Sequence, residues 1–186
     1  MIVGYGSGCE PHASNWGGSL LFERTAGGYA FKDYLPGLMT DQCIVAAAGG
    51  GQADRLICRS SGMHQGHAGS FVSEVALSSN KGKVSFGLKP LFAAESSEDA
   101  YGAETVDCSK RGQEQLFELS DLRLAPGGQA LTVRARLATA AMVQAACAVP
   151  RARWPSDVKE LVPEGLAPLT AKPTETTLTF DLATSR

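Results

Sequence analysis

Two cysteines fifteen residues apart, set symmetrically about a glycine-rich centre, constrain this chain more than any other feature. In the segment Cys43-Ile-Val-Ala-Ala-Ala-Gly-Gly-Gly-Gln-Ala-Asp-Arg-Leu-Ile-Cys58, apolar residues flank the glycines. That is the pattern of a β-hairpin. Cys43 and Cys58 are equidistant from the Gly50–Gly51 junction. A hairpin turning there sets them opposite each other, at the Cβ spacing a disulfide needs. Closing a loop of about 15 residues in this way contributes about 3 kcal/mol. The alternative is a pair of free, buried thiols acting as small hydrophobes.

The remaining cysteines are Cys9, Cys108 and Cys147. None of the five lies in a C-x-x-C pair, which argues against a thioredoxin-like motif and an all-cysteine zinc site. A second bridge between Cys108 and Cys147 leaves Cys9 over; pairing of Cys9 with either of them stays open. Disulfides belong to oxidising compartments, so the expectation is a periplasmic or secreted protein. The opening Met-Ile-Val-Gly-Tyr-Gly-Ser-Gly-Cys has no basic n-region and no apolar h-region. An exported chain would then have lost its leader ahead of Met1.

Period-two runs separated by turn residues recur along the chain. Leu20 and Phe22 lead through Ala26-Gly27-Gly28 to Tyr29 and Phe31. Pro36-Gly37 marks the next turn, and the cysteine hairpin follows. Phe71, Val75 and Leu77 share one face; Asn80-Lys81-Gly82 returns the chain to Val84, Phe86 and Leu88. Leu122 and Leu124 approach Pro126-Gly127-Gly128, and Leu131, Val133, Ala135 and Leu137 leave it. Leu178, Phe180 and Leu182 share a face of a last strand. Helix is scarce: Thr139 to Val149 suits helix or strand, and Ser156 is placed to cap a short turn through Leu161. The expected fold is all-β: antiparallel hairpins forming a β-sandwich or propeller-like stacked sheets, with little helix. The turn centres lack a fixed period, and four hairpins are too few to close a propeller. We expect one β-rich domain over residues 1–186, with possible sub-structure at 1–93 and 94–186.

Charge excludes some function classes. Residues 1–93 carry seven basic and six acidic groups, and residues 94–186 carry ten and thirteen. Neither half has the basic surplus that attracts nucleic acid or anionic lipid. No apolar run reaches the roughly 18 residues of a membrane-spanning helix.

Motifs for chemistry are weak. Cys9-x-x-His12 and His64-x-x-His67 use every histidine and would make a zinc site of chemically reasonable ligands. The pairs are far apart in sequence, and no carboxylate is identifiable to orient them. Gly6-Ser7-Gly8 and Ser60-Ser61-Gly62 lack the flanks of a nucleophile elbow. Glu95, Glu98, Asp99 and Glu104 lack the calcium-loop pattern and read as a solvated acidic loop. Trp16 and Trp154 are isolated, so no sugar-stacking platform is visible.

What remains is binding through loops on a rigid scaffold. Residues 60–70 read as a small, polar loop presenting Met63, His64, Gln65 and His67. Residues 107–113 place Ser109, Lys110 and Arg111 beside Cys108, which would tether the loop and lower the entropy lost on binding. The expectation is a non-enzymatic exported protein that binds, and as an inhibitor or immunity protein blocks, a secreted toxin or cell-wall hydrolase. No cofactor is expected. The alternatives are a zinc-dependent hydrolase using Cys9, His12, His64 and His67, and a structural or ligand-binding module of a larger secreted protein.

Overall fold

The expected hairpins form, and they stack as three antiparallel sheets. The computed structural model describes residues 1–5, 18–36, 39–47, 54–81 and 83–182. The first sheet contains β1 (Ile2–Tyr5), β2 (Gly18–Thr25) and β3 (Gly28–Pro36) in that order. The second contains β4 (Met39–Ala46), β5 (Arg55–His64), β6 (His67–Asn80) and β7 (Lys83–Ser96), also in chain order. Beyond it, β8 (Thr105–Asp107) pairs with β11 (Leu166–Pro168) as a small ribbon. The third sheet orders β9 (Gln115–Leu124), β10 (Ala130–Ala138) and β12 (Thr174–Asp181) as β12-β10-β9.

The second sheet is the central layer, because alternation along its strands makes both faces apolar. In β5, Ile57 packs with Val72, Leu119, Leu131 and Val133 toward the third sheet. Its neighbours Leu56 and Cys58 pack with Leu21, Val75 and Phe86 toward the first. The β7 strand serves both faces by means of a bulge. Val72 opposes Phe92 while Ser73 opposes Pro90, so Leu91 is the extra residue. One inserted residue inverts side-chain direction. Phe86 and Leu88 therefore face the first sheet, and Phe92 and Ala94 face the third.

Side chains of the central sheet also seal the open edge of β9. A second bulge leaves Asp121 and Leu122 out of the β9–β10 pairing, and Asp121 adopts φ 55°. Backbone groups released by a bulge need other partners. The Gln42 amide supplies them, donating to the Leu122 carbonyl at 2.8 Å and accepting from the Leu122 N–H at 3.1 Å. Ser70 Oγ accepts from Leu119 N–H at 2.8 Å, and Arg59 donates to the Leu119 carbonyl at 3.0 Å. Arg59 is held in turn by Asp41 at 2.8 Å.

Cys43 and Cys58 stand directly opposite in the β4–β5 register and are disulfide-bonded, with Cα atoms 4.1 Å apart. Cys108 and Cys147 form the second bridge, which removes both as partners for Cys9. Cys9, His12, Trp16 and the Gly50–Gly51 junction lie outside the described residues.

Three expectations are corrected. Residues 60–70 are not a loop. They are the paired ends of β5 and β6, joined by the two-residue turn Gln65-Gly66 with φ of 50° and 78°. Positive φ at both turn residues matches the twist of a hairpin. The serines that suggested a loop are small sheet residues instead; Ser60 and Ser70 are buried. In residues 95–104, Glu95, Glu98 and Asp99 are exposed as expected, but the segment is not a loop throughout. β7 runs to Ser96, and a helical turn α1 (Glu98–Tyr101) follows. The Glu104 side chain is largely buried and pairs with Arg136 at 2.7 Å. Finally, Ser156 does not cap its helix. Thr139 caps α2 (Ala140–Ala148) through the Met142 N–H, but α3 (Ser156–Leu161) begins after Pro155 without a side-chain cap.

Burial raises the Glu104 pKa, and this outweighs the opposing pull of Arg136. A carboxyl whose folded pKa is raised favours the fold while protonated, and that contribution is lost as pH rises through the folded pKa. Glu104→Gln should therefore gain stability relative to the parent between pH 4 and pH 7, values on either side of its ordinary pKa of 4.5. Urea midpoints at the two pH values check this.

Candidate functional site: a cleft at the end of the central sheet

A cleft of about 540 Å³ opens where β7, α1, β8 and the start of β9 converge. Each wall has a local cause. The tight Gln65-Gly66 turn brings His67 against α1. A Cβ on Gly66 would lie 2.8 Å from the Ala100 backbone, so only glycine permits the approach. The His67 ring meets Tyr101 edge to face, with centroids 5.3 Å apart. Ser97 and Thr105 close the floor through a 2.7 Å hydroxyl pair.

The opposite wall is the 107–113 segment, held at several points. Cys108 is bonded to Cys147 of α2, and its N–H donates to the Gly165 carbonyl at 2.9 Å. The Gln115 amide makes two bonds of 2.8 Å to the Asp107 backbone. The Asp107 carboxylate accepts from Ser109 Oγ and N–H at 2.7 and 2.9 Å. Those bonds favour its charged form and lower its pKa, with Lys110 assisting.

Of the residues expected to bind, His67 and Lys110 line the same cleft. Met63 is exposed near the β5 end, and Gln65 occupies the turn beside it. Ser109 and Arg111 have local partners: Ser109 serves Asp107, and Arg111 donates to the Cys147 carbonyl at 2.6 Å. The His64 side chain lies outside the described residues, as do Cys9 and His12. Among the described residues, no group of three histidine, cysteine or carboxylate side chains is placed to hold a metal.

Sequence reasoning missed Glu95, Tyr101, Glu114 and Gln115 as lining residues. The only local hint was Tyr101, a lone aromatic in an acidic stretch. The Asp107 carboxylate is tied to Ser109 and Lys110, whereas the Glu95 and Glu114 carboxylates have no hydrogen bond or ion pair among the described residues. The cleft thus combines two unpaired carboxylates, an aromatic pair and one lysine on a tethered wall. Such a surface suits a polar, partly cationic group better than an apolar ligand. Searches of protein-family models, curated proteins and solved structures find no match to this chain.

Proposed function

We propose that this chain is a non-enzymatic exported protein that binds and inhibits another protein through the cleft, in the manner of an inhibitor or immunity protein. The observation that carries this reading is the convergence of the His67 hairpin end and the disulfide-tethered Lys110 segment on one cleft. A wall fixed before binding loses little conformational entropy on association. Glu95 and Glu114 fit a partner that presents a basic side chain, with Tyr101 and His67 packing on its apolar stem. A secreted toxin or cell-wall hydrolase is the proposed partner. The two disulfides support an oxidising, extracytoplasmic setting.

The test is capture from the source cell envelope, followed by calorimetry with the purified partner. Tyr101→Ala and Glu114→Lys should each weaken binding by about 10-fold or more, the usual effect of losing a central contact. Unchanged affinity in both variants would remove the cleft as the binding site.

A further inference from the structure

The two disulfides sit in opposite surroundings. Cys58 is fully buried between the first and second sheets, packed with Leu21, Val75 and Phe86; Cys43 alone of that pair is exposed. Cys108 and Cys147 are both half-buried, at the margin of the cluster that contains Val106, Phe117, Val143 and Ala146. Their frames differ as well. Cys43 and Cys58 lie inside one ladder, with Gln42 opposite Arg59 on one side and Ile44 opposite Ile57 on the other. Cys108 stands in the helical turn Cys108–Lys110 and Cys147 in the last turn of α2, neither of them part of a ladder. A guanidinium also stands beside this second bridge, because Arg111 donates to the Cys147 carbonyl at 2.6 Å.

We propose that Cys108–Cys147 is a thiol-exchange site, opened by a dithiol reductant while the protein stays folded, and that its opening loosens the Lys110 wall of the cleft. A thiolate of the reductant attacks one sulfur of the bridge. A mixed disulfide forms, and the other sulfur leaves as a thiolate and takes a proton from solvent. The reductant's second thiolate then attacks its own sulfur in the mixed disulfide. The protein is left with two thiols and the reductant with a disulfide, so two electrons have passed to the bridge. Such exchange is fastest where the bridge is accessible and the departing thiolate is stabilised. Both conditions hold at Cys108–Cys147, where both residues reach solvent and Arg111 supplies a cation. Neither holds at Cys58. Direct attack there is blocked by burial, and attack at Cys43 expels the Cys58 thiolate into an apolar interior that does not solvate it. The ladder also keeps that thiolate opposite Cys43, where it displaces the reductant again. The second bridge has no such frame. Once it opens, the 107–113 segment keeps only hydrogen bonds across to Gly165, Gln115 and the Cys147 carbonyl.

Differential thiol trapping of the full chain tests this. Free thiols are first blocked with one alkylating reagent. The protein is then held in dithiothreitol without denaturant, and thiols that appear are trapped with an isotopically heavy reagent and located by mass spectrometry. Cys108 and Cys147 should be trapped about 10-fold or more faster than Cys43 and Cys58, with the far-UV circular dichroism unchanged. Amide exchange reads the wall. The N–H groups of Cys108, Ser109 and Gln113 donate to Gly165, Asp107 and Lys110. After reduction they should exchange about 10-fold faster, while those of Leu119 and Leu122 in β9 keep their rates. Trapping of the two pairs at equal rates, or in the reverse order, would overturn the exchange site. Unchanged exchange at the three amides would overturn the loosening of the wall. The consequence for binding rests on the cleft being the binding site: reduction should weaken a captured partner by about 10-fold. A partner weakened by Tyr101→Ala but indifferent to reduction would sink the proposal and leave the cleft reading standing. A partner indifferent to Tyr101→Ala and Glu114→Lys would remove the cleft reading, and trapping and amide exchange would still decide the exchange site.

Discussion

Replacing Cys108 and Cys147 together by alanine is expected to destabilise the protein by about 4 kcal/mol. The bridge spans 39 residues, and the cross-link removes more unfolded-chain entropy as the loop lengthens. The smaller loop of Cys43 and Cys58, 15 residues, corresponds to about 3 kcal/mol on the same basis. For a chain of this size, 4 kcal/mol lowers the thermal midpoint by roughly 10 °C. Calorimetry of both double variants measures the order. An equal or smaller loss for the Cys108–Cys147 pair would show that loop length does not set its contribution. The two bridges should also separate functionally. Cys108 holds the wall that carries Lys110, whereas Cys58 is buried between the first and second sheets. Loss of the first should weaken partner binding beyond its effect on stability. Loss of the second should act on stability alone.

The second large effect is expected at a residue with no apolar packing role. Gln42→Leu should cost about 2–5 kcal/mol, because it strands both the N–H and the carbonyl of Leu122 in a part-buried interface. Leucine has nearly the volume of glutamine, so the loss isolates hydrogen bonding from packing. Urea denaturation with an unchanged m-value checks it. A loss below about 0.5 kcal/mol, the range of an ordinary surface change, would mean that the β9 edge finds other partners.

Much of the fold was legible because its information is local. A hairpin brings residues together whose positions add to a constant, so the Cys43–Cys58 pairing could be read from spacing alone. The turns at Ala26-Gly27-Gly28 and Pro126-Gly127-Gly128 were legible for the same reason, since glycine reports a backbone need. The serine- and glycine-rich run at 60–70 misled because serine serves two purposes. It favours turns, and it also fills tight sheet interfaces where its hydroxyl meets a backbone group. Ser70 does the latter, accepting from Leu119 49 residues away. The acidic run misled likewise, because Arg136, the cation that buries Glu104, lies 32 residues on. Of the residues expected to bind, His67 and Lys110, one from each expected loop, line one cleft. Glu95, Tyr101 and Glu114 join them there, because the approach of β7, α1 and the start of β9 depends on contacts distant in sequence.

The cysteine symmetry about Gly50–Gly51 shows where sequence stops and tertiary structure begins. Alternation, turn residues and spacing determined the strands, the hairpins and the cross-strand disulfide, because each depends on chain neighbours. The three-sheet stack was decided elsewhere. Single inserted residues at Lys32, Leu91 and β9 turn side chains from one layer to another. Side chains such as Gln42 and Arg59 then satisfy the edges that result. A bulge leaves almost no local mark, yet it inverts every residue that follows it along the strand. For that reason the faces and the cleft emerge only once the sheets are packed.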